Sequence, residues 1–101
     1  MNDKERAIVT AQTIENITRQ YTNGDQGRIK ENLREIYAKL TGLTVQLDKI
    51  AETTKDKSII RLLKEIDESK ALIQLRLKEE EVDIEQMSKM IRTTLRKVKT
   101  I

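Results

Sequence analysis

The chain has 101 residues, enough for one small domain, and 20 Lys+Arg against 17 Asp+Glu leave a formal charge of only +3. So small a surplus gives no global reason to expect nucleic acid as the partner. The absence of Cys excludes a disulfide scaffold or a thiolate metal site, and the absence of His removes the commonest general base and metal ligand.

Ten Leu, 13 Ile and four Val lift the aliphatic content above the level at which charged chains fail to build a core. With no Pro and three Gly, helix is favoured throughout. Two acids and two bases among Met1–Arg6 speak against a secretory signal. The longest uncharged runs, Ala7–Ile14 and Leu40–Leu47, fall far short of the ~20 apolar residues that span a bilayer. Position 2 is Asn rather than Gly, and no Cys offers itself for acylation. A cytoplasmic chain is the expectation.

A first helix starts at Asn2, where Glu5 three residues on completes a capping box, and carries Ala7, Ala11, Ile14, Ile17 and Tyr21 inward with Ile8 alongside. It ends near Tyr21, because Thr22–Gly27 gathers two glycines and an Asn-Gly pair. The second helix, Gln26 to Glu52, carries the clearest pattern. Ile29, Leu33, Ile36, Leu40, Leu43, Leu47 and Ile50 recur at alternating spacings of four and three, which holds one narrow stripe on one side. Gly42 inside it is read as a place where a neighbouring helix packs closely.

Thr53–Lys57 breaks the pattern and offers an Asp or Ser cap. From Ser58 a third helix places Ile59, Leu62, Leu63, Ile66, Ile73 and Leu77 on one face, with Leu72 and Leu75 widening it, so that it is expected to be the most buried. Lys78–Val82 interrupts, and Asp83 with Gln86 forms another capping box. A fourth helix then turns Ile84, Met87, Ile91, Leu95 and Val98 inward. The rival is a single long helix from Ser58 to Lys99, since neither Gly nor Pro enforces a stop. The fold expected is one all-α domain spanning residues 1–101, an antiparallel up-and-down four-helix bundle. Its alternative is three helices with a long third one, dimerising. A monomer follows from the first arrangement and a homodimer from the second.

Candidate chemistry is sparse. Glu79, Glu80, Glu81, Asp83 and Glu85 point in different directions on a helix and do not form a calcium loop. Ser58, Ser69 and Ser88 have neither a Gly-x-Ser-x-Gly setting nor a histidine to activate them. Inward arginines do not recur, and Asn16-Ile17-Thr18 is a glycosylation triplet placed mid-helix. No catalytic, cofactor-binding or metal-ligating residue is assigned, and the chain is expected not to be an enzyme.

One charge asymmetry stands out. No acid follows Glu85, whereas Lys89, Arg92, Arg96, Lys97 and Lys99 crowd the end. These cations can simply complement a helix C-terminus. Alternatively they form a basic amphipathic helix that meets an anionic membrane or an acidic partner through Met87, Met90, Ile91, Leu95 and Val98. Two Tyr as the only aromatics leave little for stacking on nucleic acid.

A polar first helix, a loop at Asn23–Gly27, a strongly amphipathic second helix, Ile60, Leu62, Leu63, Ile66 and Leu72–Leu77 in a third, and a shorter basic fourth helix together resemble the bacteriocin immunity proteins of the enterocin A, pediocin-like type. The resemblance covers nearly the whole chain at the level of size and apolar pattern, without a diagnostic motif. It implies a cytoplasmic four-helix bundle that protects a producer cell from its own pore-forming peptide at a sugar-transporter receptor on the inner membrane face. The C-terminal half would choose the peptide, which places partner binding on Met87, Met90, Arg92, Arg96 and Lys97. The Glu79–Glu81 run departs from the pattern. A helical secretion adaptor or chaperone binding a partner helix, and a small phage or plasmid regulator, are the alternatives.

Overall fold

The computed structural model describes residues 2–23, 26–78 and 81–101, apart from the side chains of residues 20–23 and 26–28. The inward placement expected of Tyr21, and Glu79 and Glu80, lie outside what is described; of the reversal expected over Thr22–Gly27, Gly24 and Asp25 also lie outside it, whereas Thr22 and Asn23 continue the first helix past Tyr21 and Gln26 and Gly27 already belong to the second. The elements are α1 (Asp3–Asn23), α2 (Gln26–Thr54), α3 (Lys57–Leu77) and α4 (Ile84–Val98).

Short polar side chains set three of the four starts by satisfying backbone N–H groups that a helix leaves open. Asn2 Oδ1 accepts from the Glu5 backbone N–H at 2.8 Å, and Asn2 Nδ2 donates to Glu5 Oε1 at 3.4 Å, closing the expected box. Asp56 accepts from the backbone N–H and the hydroxyl of Ser58, at 2.9 and 2.8 Å. Asp83 accepts from the Gln86 N–H at 3.1 Å. Before Asp56 the chain leaves α2 through Lys55, whose φ of 52° is left-handed. Its N–H still donates to the Ala51 carbonyl at 2.9 Å, which completes a C-terminal αL turn without glycine.

The single long helix from Ser58 to Lys99 does not form, because α3 stops at Leu77 and α4 begins at Ile84. Asp83 draws the Gln86 N–H into a new start, and Glu85 sits in the first turn where the helix dipole favours an anion. The larger reason is burial. Folding back places Met87, Ile91, Leu95 and Val98 in the core, whereas a straight continuation would leave them in water. Their burial contributes roughly 6–12 kcal/mol before opposing entropy, as much as the net stability of a small domain.

The helices form a ring. α1 packs on α2 and α4, and α3 packs on α2 and α4, while among the described residues the backbones of the diagonal pairs stay further apart. Gln74 on α3 donates to the Tyr37 hydroxyl on α2 at 2.9 Å, and Lys70 Nζ lies 4.8 Å from the centroid of the same ring. Lys97 near the end of α4 reaches Glu65 in the first half of α3, as an antiparallel pair requires. The molecule measures 41 × 23 × 18 Å, and its long dimension matches the ~43 Å that 29 residues of α2 span.

The stripe on α2 is realised nearly in full: Leu33, Ile36, Leu40, Leu43, Leu47 and Ile50 are buried, and Ile29 packs against their edge. α3 is not the most buried helix. Leu63, Leu72 and Leu77 are half-buried, Leu75 and Ile60 are exposed, and Ser69 fills the core register between Ile66 and Ile73. A helix flanked by two neighbours buries one stripe, and its widened leucine face turns to solvent. α4 is buried more densely, with six of its 15 residues inside.

Gly42 does not mark a close approach. It lies on the exposed side of α2, and a Cβ built there meets nothing within 4 Å. Its backbone freedom therefore only weakens the helix. Gly42→Ala is expected to stabilise the fold by about 1 kcal/mol and raise Tm by roughly 4–8 °C; an unchanged or lower Tm in a thermal melt would contradict this placement.

Candidate functional site

No helix among the described residues is long and apolar enough to cross a membrane. The residues singled out in the basic C-terminal segment divide between inside and outside. Met87 is fully buried in the core of the bundle. Ile91, Leu95 and Val98 are buried with it, so the apolar side of the basic helix is occupied by the bundle itself. Met90 and Arg92 are half-buried, and Arg96 and Lys97 are exposed. The outward half of α4 is therefore the candidate surface, with a different seam on each side.

Toward α1, Lys99 donates to Glu15 in a short ion pair and to Gln12 Oε1 at 3.2 Å. Glu15 is only 4% exposed, a position at which an unpaired carboxylate would be expensive. Arg19 approaches its other oxygen at 3.8 Å, one helical turn away. The Lys99 hydrogen bond and the nearby positive charges of Lys99, Arg19 and Arg96 hold the Glu15 carboxyl below its ordinary value of 4.5, outweighing the opposing push of burial.

Toward α3, Lys97 Nζ lies 2.7 Å from Glu65 Oε1, and the Thr94 hydroxyl donates to Glu65 Oε2 at 3.3 Å. Both ionic partners are about a third or more exposed, so this pair contributes under about 1 kcal/mol and serves chiefly to orient side chains. Beside it runs an open groove of about 390 Å³ lined by Glu65 and Glu68 of α3 and by Lys89, Met90, Thr93 and Lys97 of α4. A thioether flanked by charges of both signs suits an aliphatic side chain with a charged tip.

Among the described residues, no three metal-ligating side chains converge. The buried hydroxyls of Ser69 and Ser88, the Gln46 Oε1 and the Arg76 Nε have no hydrogen-bond partner among protein atoms. Sequence reasoning missed Glu15, Gln12, Glu65 and Glu68. Glu15 lies beside Ile14 at the edge of the first stripe, which marks it as a seam position, but nothing in the sequence couples it to Lys99 eighty-four residues on.

A pH dependence follows from Glu15. Its folded-state pKa is lowered, so the stability it supplies is fully present above pH 4.5 and is lost as pH falls through the folded value. Asp56, lowered by the Ser58 N–H and hydroxyl, acts in the same direction. In urea melts at neutral pH, Lys99→Met is expected to cost about 1–3 kcal/mol by stranding a buried carboxylate, and Glu15→Gln to flatten the acid dependence. Equal stability of Lys99→Met and the unaltered chain would contradict the buried pair.

Compared with protein-family models, curated proteins and solved structures, the chain matches none.

Proposed function

We propose that this chain is a non-catalytic recognition protein of the bacteriocin-immunity kind, protecting a cell from a pore-forming peptide by binding a protein partner through the outward half of α4. The observation that carries the reading is the division of labour along that helix. Its inward residues complete the bundle, while Met90, Thr93 and Lys97 line an open groove shared with Glu65 and Glu68 on α3. A rigid two-helix groove with one soft apolar contact and a charged rim has the anatomy of a small interaction site. The closed core also favours this reading over a helical adaptor, because an adaptor that offers its apolar stripe to a partner helix needs a stripe that is not already buried. The partner-binding set accordingly becomes Met90 and Lys97, with Met87 supporting them from the core, while Arg92 and Arg96 lie outside the groove lining.

Expression of the chain in a bacterium sensitive to pediocin-like peptides tests the proposal. The unaltered chain is expected to confer resistance to at least one such peptide. Met90→Lys with Thr93→Glu is expected to remove that resistance while leaving the circular dichroism spectrum and Tm unchanged. Absence of protection across the peptide class, or full protection by the groove variant, would contradict it.

A further inference from the structure

The outward face of α4, which turns from the groove toward α1, carries a second pattern that shares only Lys89 with the groove lining. Lys89, Arg92, Arg96 and Lys99 recur at spacings of three, four and three, which holds four cations in one line along about 15 Å of helix. α1 adds Arg19, 3.8 Å from Glu15, the carboxylate that also binds Lys99. Against these five cations stand Glu15, which is buried, and Glu85 at the start of the line. The positive charge is therefore concentrated on one face of a molecule whose overall charge is only +3.

The shape of this face narrows the ligand. It is the outside of two packed helices. Among the described residues, the exposed large apolar side chains, Val9, Val45, Ile60 and Leu75, are not on α4. A protein partner needs an apolar centre to its interface, and base stacking needs aromatic side chains; this edge supplies neither. An extended, fluid array of phosphates needs only cations on a firm support, because the anions move to meet them. We infer that the Arg19–Lys89–Arg92–Arg96–Lys99 edge docks the closed bundle on an anionic phospholipid surface through headgroup phosphates, with α4 remaining in the core. Binding of this kind is purely electrostatic and is screened by salt. Docked by that edge, the molecule keeps its α3–α4 groove beside the membrane and open. The inference stands independently of the immunity reading.

Sedimentation with vesicles of phosphatidylcholine, alone or containing phosphatidylglycerol, tests it on the full chain. The chain is expected to bind only the anionic vesicles at low salt and to be released at about 0.5 M NaCl, where screening acts over a few ångströms. The variant Arg92→Glu with Arg96→Glu is expected to bind at least roughly tenfold more weakly. Lys49→Glu with Lys64→Glu, which makes the same change in net charge on exposed positions of α2 and α3, is expected to retain most of the affinity. Should the glutamate pair fail to fold by circular dichroism, Arg92→Gln with Arg96→Gln supplies the same comparison. Failure to bind anionic vesicles, or equal losses from the two faces, would overturn the inference. So would displacement by millimolar inorganic phosphate, which would mark a free-phosphate site, or preferential binding to duplex DNA.

Discussion

Burial of Met87, Ile91, Leu95 and Val98 against α1 and α3 is the contact on which the rest of the molecule depends. Without it, α1 and α3 would each expose a flank, and a chain of this length has little surplus with which to tolerate that. The contact also settles how α4 is used. The same helix viewed alone is amphipathic and basic, a combination that suits insertion into a lipid interface. Within the bundle, its apolar side is already taken, and Met90 with charged and polar side chains is left to meet anything else.

The seams on either side of α4 are correspondingly polar. Glu15, Thr18, Ser69, Ser88 and Thr94 are all buried. Thr18 returns its hydroxyl to the Ile14 carbonyl at 2.8 Å and Thr94 reaches Glu65, whereas Ser69 and Ser88 make no such bond. An unsatisfied buried hydroxyl costs about 1–3 kcal/mol. α4 is thus strongly held by its apolar stripe and less well sealed along its edges, while the Glu15–Lys99 and Glu65–Lys97 pairs fix its C-terminal end to both neighbours. Removing α4 to expose a membrane-active face would require breaking the stripe, which is why docking of the intact bundle is the more economical way for its cations to act.

Much of this architecture is written in local signals. The Asn2–Glu5 and Asp83–Gln86 boxes, the break before Asp56 and the alternating stripe on α2 are each legible within a few residues, because caps and periodicity depend on near neighbours. The positions that resist reading are those decided by another helix. Leu75 satisfies an apolar pattern yet lies in solvent, since α3 has neighbours on only two sides. Ser69 breaks the pattern yet lies in the core, where the interval between Ile66 and Ile73 does predict an inward position. Gly42 suggests crowding where the structure has open space. The candidate surface was legible as a charge asymmetry, but its division into a groove with Met90 and a cationic edge was not, because Glu15, Arg19, Glu65 and Glu68 come from distant parts of the chain. Met87 satisfies the inward register of α4, and the structure holds it in the core.

Whether α4 closes its own bundle can be tested directly by zero-length carbodiimide cross-linking of an equal mixture of isotopically light and heavy chains. Glu15–Lys99 and Glu65–Lys97 bring carboxylates into contact with amines, and both pairs are expected to cross-link within chains of a single isotope. Mixed-isotope products at those pairs, the mark of a helix exchanged between two copies, or the absence of both links in the folded monomer, would contradict the account.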